Sequence, residues 1–309
     1  MSMVTPVMLR GNYSALFGTT ALPALESIFR TSLRMIPMQR NKLFSVTSTD
    51  RDIVQATEMG DLPGMIQIPE GTDYTFVAPR PGWNKTYIPQ KFGLGFSISR
   101  EMVDDAKWGV IGQMVGDLAR SAAYSQEQAA MDIFNNGFTT VNTGGAGLSL
   151  FSSAQTLPSG LTFRNRPTVD VDLSQSSLDA ALTDFSTQQV TDSGKILATR
   201  ARILIVHPSQ ERYARELVGS TLKPDTNDNN LNAFLDDNLT VVTSALLTDP
   251  DAWFLSAAPG ETGLQIIRRQ GIRTESDESF VNDALLYKVS YREAIGFAHG
   301  YGVYGSPGA

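Results

Sequence analysis

The sequence predicts an α+β fold on three observations. One long helical stripe lies in the first half, a stretch of short β-like runs broken by proline and glycine precedes it, and the second half mixes helices and strands without regular strand–helix–strand alternation. The chain has the material for such a fold, since 309 residues of which 41% are hydrophobic can bury a large core. Composition also excludes chemistry. Without Cys there is no disulfide, thiolate nucleophile, iron–sulfur cluster or thiolate zinc site, and His207 and His299 alone cannot supply a poly-histidine metal centre. No apolar run reaches membrane-spanning length, and MSMVTPVMLRGNYS lacks the basic region and continuous apolar stretch of a signal peptide, so a soluble, non-exported chain with no membrane partner is expected.

Charge is distributed unevenly. The net charge is −7, yet up to Thr49 five cations (Arg10, Arg30, Arg34, Arg40, Lys42) face one acid, Glu26. A basic arm therefore precedes an acidic body, either as a solvated leader or as an arm lying on the acidic surface of a neighbouring copy. An acidic body argues against nucleic-acid binding by the chain as a whole, because that binding is driven by clustered Lys and Arg.

Taken in order, residues 23–36 place Leu25, Ile28, Phe29, Leu33 and Ile36 at helical spacing behind Pro23, and Pro37 ends the helix. From Lys42 to Ser99 the runs LFSVTS, YTFVAP and KTYIPQKFGLGFSIS alternate with Pro63, Pro69, Pro79, Pro81 and Pro89 and with Gly60, Gly64, Gly71 and Gly82; so many breakers cannot sit in central strands. The apolar groups of this excursion, Met65, Ile66, Ile68, Tyr74, Phe76 and Trp83, have little to bury against within it, which in an oligomer makes them an interface. The strongest helix follows, with Val110, Met114, Val115, Leu118, Ala122, Ala130, Ile133 and Phe134 on one stripe and Asn136-Gly137 as its stop. Gly109, Gly112 and Gly116 weaken its first turns by about 1 kcal/mol each. A helix over 173–189, capped by Ser174, turns Leu178, Ala181, Leu182 and Phe185 to one face. A buried strand over 203–206, a helix started by Pro208 and the strands LTVVTS, DAWFLSA, LQIIRR and DALLYKVSYREAIGFAHGYGVY complete the pattern.

The motifs that would carry chemistry fail. TGGAGLSL (143–150) follows a helix and has neither the Gly-Lys-Ser/Thr of a phosphate loop nor a dinucleotide fingerprint, and neither GxSxG nor HExxH occurs. His207, at a strand–helix junction, has no marked nucleophilic or acidic partner and reads as a structural histidine. Laid on the calcium-loop template, Asp225, Asn227 and Asn229 take positions one, three and five, but Asn230 stands where the turn wants Gly and Asp236 where it wants Glu; they are weak metal candidates in what reads as a solvated loop. No cofactor, metal or enzymatic activity is expected.

The order of segments and the C-terminal stretch IIRRQGIRTESDESFVNDALLYKVSYREAIGFAHGYGVYGSPGA carry a resemblance, as do VHPSQERYARELVGSTLKPDTNDNNLN, LTDPDAWFL and ISREMVDDAKWGVIGQMVGDLARSAAYSQEQAAMDIFNNGF. They are similar to phage major capsid proteins of the HK97-type fold, and resemble the branch of the Mu-like phage and prophage major head subunits, from Val4 to Ala309. The resemblance implies an N-terminal arm at 1–42, an extended β E-loop at 43–98, a peripheral domain with its spine helix at 99–159, an axial domain at 160–251 and return strands to the peripheral domain at 252–309. It implies a structural protein that self-assembles as pentamers and hexamers into an icosahedral shell enclosing double-stranded DNA without sequence-specific binding, assembled in the bacterial host cytoplasm and located in the virion. A separate scaffolding protein is implied, because fused-scaffold relatives carry a long extension before the arm, or else the chain is a mature product; portal and decoration proteins complete the implied partners. The assembly candidates are Ile68, Tyr74, Phe76 and Trp83, expected to be mostly exposed in an isolated subunit, and Arg30, Arg34 and Arg40 of the arm. Two alternatives remain: an encapsulin-like nanocompartment shell of the same fold, distinguished by particle content, and a soluble hydrolase using His207 with a carboxylate.

Overall fold

The computed structural model describes residues 22–105, 108–220, 234, 237–279 and 284–309. Its elements are α1 (Leu22–Arg34), α2 (Arg40–Leu43), β1 (Ser45–Ser48), β2 (Val54–Met59), β3 (Pro81–Tyr87), β4 (Gln90–Ile98), α3 (Arg100–Asp104) and the long helix α4 (Trp108–Asn135). Then come β5 (Gln155–Thr156), β6 (Thr162–Phe163), α5 (Gln175–Thr187), β7 (Ile203–Val206), α6 (Glu211–Gly219), β8 (Thr240–Thr243), β9 (Trp253–Ser256), β10 (Leu264–Glu278), β11 (Leu285–Phe297) and β12 (Val303–Ser306). The chain divides into two compact units, one of Met1–Met38, Gln90–Gln126 and Gln270–Arg292, the other of Gln39–Pro89, Glu127–Arg269 and Glu293–Ala309.

In the first unit, α1 and the first half of α4 close over strand residues. Leu25 and Phe29 of α1 and Ile111, Val115 and Leu118 of α4 are buried with Ile98 of β4 and Leu285, Tyr287 and Val289 of β11. The glycines that weaken α4 do not break it. A Cβ on Gly112 would stand 3.6 Å from the Ile28 Cδ1 and one on Gly116 3.4 Å from the Ser32 Oγ, so these positions, one turn apart, leave the groove in which α1 lies. Burial of a Leu, Ile or Phe side chain at about 1.5–3 kcal/mol outweighs about 1 kcal/mol per glycine.

The second unit is built on a sheet in the order β12-β9-β7-β8, covered on both faces. β7 pairs in parallel with β8 and antiparallel with β9. Alternation assigns the faces: Ile203 and Ile205 of β7, Phe254 and Val303 join one core with Met131 and Phe134 of α4 and Phe44, whereas Leu204 and Val206, Trp253, Leu255 and Tyr304 join another with α5 and α6. α5 begins where the sequence places it, with Ser174 and Ser177 forming a reciprocal cap. His207 caps the short turn Pro208–Gln210 by accepting from the Ser209 N–H at 3.2 Å. β1 runs parallel to the start of β10, Ser45 opposite Gln265 and Ser48 opposite Arg268. The Asn165 amide, wholly buried, accepts from the Ser152 N–H (2.8 Å) and donates to the Leu150 (2.7 Å) and Gly300 (2.9 Å) carbonyls, so its burial leaves no polar group unpaired.

The arm's Arg40 corrects an expectation. It is 1% exposed, its Nη1 lies 2.6 Å from the equally buried Glu293 Oε1, and its backbone N–H donates to Glu127 Oε1 at 3.1 Å. A guanidinium enclosed this way is committed inside its own chain and is not an interface cation. Burial raises the Glu127 carboxyl, and the Arg40 amide and charge oppose that rise. The run YTFVAP is likewise no strand: the chain from Gly60 to Arg80 has no regular secondary structure beyond a turn, as five breakers among Gly60, Pro63, Gly64, Pro69 and Gly71 and a closing Pro79 require.

Candidate assembly surface

β2 and β3 form an antiparallel hairpin with Val54 opposite Tyr87 and Ala56 opposite Lys85. Alternation gives it an inward face, Val54, Ala56 and Glu58 on β2 and Trp83, Lys85 and Tyr87 on β3, and an exposed one. Trp83 lies against Gly145, where an added Cβ would approach the Trp83 Cβ to 2.8 Å, so the glycine serves close packing. The Lys85 ammonium donates to the Thr143 carbonyl, and burial lowers its pKa.

At the end of the hairpin an acid anchors the departing chain. Asp61 accepts from the Ser193 N–H (3.0 Å), the Ser193 hydroxyl (2.5 Å) and the Thr191 hydroxyl (2.9 Å), and its Oδ2 lies 3.5 Å from the Lys195 Nζ. Lys195 also donates to the Leu62 carbonyl. Burial alone would raise the Asp61 carboxyl, but these hydrogen bonds and the lysine charge hold it below the usual range. Next to the anchor is a cleft of about 280 Å³ lined in part by Glu58, Asp61, Asp192, His299 and Tyr301. Burial, and secondarily the Asp192 charge, raises Glu58, while burial pushes His299 down to about 4. The His299 Nδ1 accepts from the Tyr301 N–H at 3.3 Å, so a neutral ring is the form this site holds. Among the described residues no three His, Cys, Asp or Glu side chains group as a metal site. Around the cleft Asp61 engages Thr191 and Ser193, Asp192 accepts from the Ser159 N–H at 2.7 Å and His299 accepts from the Tyr301 N–H.

Beyond Asp61 the character reverses. Met65 is 105% exposed, Phe76 95%, Tyr74 76% and Ile66 67%, with Val77 also exposed. The loop nonetheless has its own geometry: Thr72 N–H donates to the Pro69 carbonyl at 3.2 Å and Gly71 has φ +83°, the value a type II turn demands at its third residue, which places Glu70 in the turn. Ten residues on each limb, if extended, reach about 33 Å.

The expected assembly residues thus separate. Tyr74 and Phe76 are fully presented. Ile68 and Trp83 are half-buried, a correction for both; Trp83 belongs to the hairpin base because its strand face turns it onto Gly145. Arg30 is exposed and paired with Glu26 at 2.6 Å; Arg34 is exposed, and among the described residues it forms no ion pair. Asp225, Asn227 and Asn229 lie outside the described residues. Sequence reasoning missed Asp61 and Val77. A lone Asp before Leu-Pro carries no signal for an anchor made with residues 130 positions away, whereas Val77 is visible as one more apolar residue in a breaker-rich run. His207 keeps to its cap, and among the described residues no carboxylate pairs with it.

A family model described as phage capsid protein matches residues 84–305. No curated protein matches the chain. Among solved structures, the chain is similar to the virus-like particle from Pyrococcus furiosus at 12% identity, with 93% of this chain and 100% of that one covered and a TM-score of 0.56. It is similar to the procapsid of bacteriophage JBD30 at 13% identity, covering 97% and 76%, TM-score 0.52. The capsid of the cyanophage P-SCSP1u gives 12% identity, 87% of each chain and a TM-score of 0.56. At such identities these likenesses show a shared fold, the HK97-type arrangement.

Proposed function

Since the chain belongs to the phage capsid protein family, and is accordingly a major shell protein of the virion that associates with copies of itself, we propose that it assembles as pentamers and hexamers into an icosahedral shell enclosing double-stranded DNA. The observation that carries the self-assembly is the tip between Asp61 and Arg80, where Met65, Ile66, Tyr74, Phe76 and Val77 are exposed in the subunit while the base is anchored. Each such side chain buried in a neighbour contributes about 1.5–3 kcal/mol before ordering costs. In this reading 1–42 is the arm, 43–98 the E-loop, 99–159 the peripheral domain with α4 as spine, 160–251 the axial domain and 252–309 the return strands. Tyr74 and Phe76 are the anchors of the contact, and the chain belongs to the Mu-like branch.

The genome is held without sequence-specific contacts. A chain of net charge −7 repels DNA, which lets the polymer slide and condense without adhering to the wall. A separate scaffolding protein sets the size of the shell, portal and decoration proteins join it, assembly takes place in the bacterial cytoplasm, and no reaction is catalysed. The second reading is an encapsulin-like nanocompartment shell of the same fold, and the similarity to the virus-like particle from Pyrococcus furiosus shows the shared fold without favouring that reading over the first. Expression followed by negative-stain microscopy and analysis of particle content tests both. Closed particles tens of nanometres across, containing DNA when the packaging machinery is present, are expected. Particles holding cargo protein in place of nucleic acid would establish the second reading, and a monomer at all concentrations would overturn both.

A further inference from the structure

Two carboxyls meet in the cleft at the hairpin base with no cation between them. Glu58 stands two positions before Gly60, so strand alternation turns both toward the Thr191–Lys195 turn. Asp192 of that turn covers the face: its Oδ2 lies 3.2 Å from where a Cβ on Gly60 would stand, while its Oδ1 is held by the Ser159 N–H at 2.7 Å. The Glu58 side chain forms no hydrogen bond or ion pair among the described residues, and burial and the Asp192 charge both disfavour its ionised form. The other charges around the cleft do not relieve it. Lys195 is engaged by Asp61 and the Leu62 carbonyl, and on the facing strand Lys85 donates to the Thr143 carbonyl. Arg80, whose carbonyl accepts from the Gly60 N–H at 2.9 Å, is exposed. Across the cleft Glu261 adds a further acid, the Tyr301 hydroxyl donates to the Val190 carbonyl at 3.1 Å, and His299 is held neutral.

We propose that Glu58 and Asp192 form a proton-operated clasp between the hairpin base and the Thr191–Lys195 turn, closed when the pair shares one proton taken from solvent and loosened when both carboxyls are ionised. In the closed form the Glu58 hydroxyl donates to the Asp192 carboxylate; in the ionised form two like charges face each other in a partly enclosed site. A carboxyl raised by folding contributes stability that is fully present below its ordinary 4.5 and is lost as pH rises through the raised value. His299 acts with the opposite sign, its contribution being lost as pH falls from 6.5 toward 4. Asp61, held below its ordinary 3.8, stays ionised over this whole interval. Mild acid therefore holds the base at two points, and neutral pH leaves the Asp61 anchor alone. The clasp is a property of the single subunit and stands whatever the tip contacts in an assembly.

Amide hydrogen exchange of the subunit, corrected for the intrinsic effect of pH, reads the clasp directly. The Gly60 N–H, bonded to the Arg80 carbonyl, and the Gly194 N–H, bonded to the Thr191 carbonyl, report its two sides. In the parent chain their protection should be at least about threefold higher near pH 5 than near pH 7.5. Glu58→Gln should remove that difference, and so should Asp192→Asn, which keeps an oxygen to accept from the Ser159 N–H. His299 contributes equally to parent and variants, so the difference between their profiles isolates the pair. Carboxyl carbon NMR gives a second readout: Glu58 should titrate above its ordinary 4.5 in the parent and move down toward it in Asp192→Asn. Identical pH profiles in the parent and in Glu58→Gln would overturn the clasp, as would a Glu58 titration unmoved by Asp192→Asn. Where neither variant folds, the parent titration decides alone, and a Glu58 midpoint at or below 4.5 overturns the proposal.

Discussion

The base and the tip of one hairpin differ more than any two neighbouring regions of this molecule. At the base, Trp83 lies against Gly145, Lys85 donates to the Thr143 carbonyl and Asp61 collects three hydrogen bonds from Thr191 and Ser193. Along the tip, Met65, Phe76 and Tyr74 are exposed, with little of their own subunit over them. The base is folded by contacts within the chain, and the tip is shaped only by its turn at Pro69–Thr72. The boundary between the self-contained fold and the uncovered tip therefore falls at Asp61, inside what the sequence presents as one uniform β excursion. An anchored base holds a projecting apolar segment in place without covering it, which lowers the entropy lost when a neighbour does so.

That contrast sets the size of each substitution's effect. On the self-contained side the largest belongs to Arg40→Ala, which leaves Glu293 buried without its 2.6 Å partner; urea unfolding should show a loss of about 3–5 kcal/mol. Next is the acid sensitivity of the base. Burial holds His299 at about 4, below its ordinary 6.5, so between those values the unfolded chain binds more protons than the folded one. The stability due to this ring is fully present above pH 6.5 and is lost as pH falls toward 4, by up to about 3 kcal/mol, and His299→Gln should flatten that part of the stability–pH profile. Asp61→Ala should cost about 1–2 kcal/mol and raise hydrogen exchange at Ser193, whose N–H it accepts. The smallest effect on stability belongs to the tip: Tyr74→Ser and Phe76→Ser should change subunit stability by no more than about 0.5 kcal/mol and yet weaken particle formation. Equal losses of subunit stability at Asp61 and at Phe76 would erase the distinction between base and tip.

What the sequence made legible follows the range of the interactions involved. Helical stripes such as Leu25–Phe29 and Val115–Leu118, the Ser174 cap and the buried strand 203–206 depend on residues a few positions apart, and these appear where the periodicity puts them. Tyr74 and Phe76 were legible for the opposite reason, as apolar residues among breakers that cannot bury them locally. The enclosure of Arg40 by Glu127 and Glu293 and the anchoring of Asp61 by Thr191 and Ser193 join residues between 87 and 253 positions apart. Charge counting along the chain sees Arg40 only as one more cation of a basic arm. Trp83 illustrates the same limit, because its half-burial comes from the strand parity that faces it toward Gly145, and Gly145 stands in a motif that suggests a phosphate loop.

The central claim, that the tip is an assembly element carried on a self-sufficient fold, is tested most directly by replacing residues 63–79 with a short Gly-Ser link that spares Asp61 and Gly82. Sedimentation and negative-stain microscopy of the purified product, beside its thermal melt, give the answer. The account predicts a folded subunit melting with the parent and forming no closed particles. Normal shells from the shortened chain would contradict it.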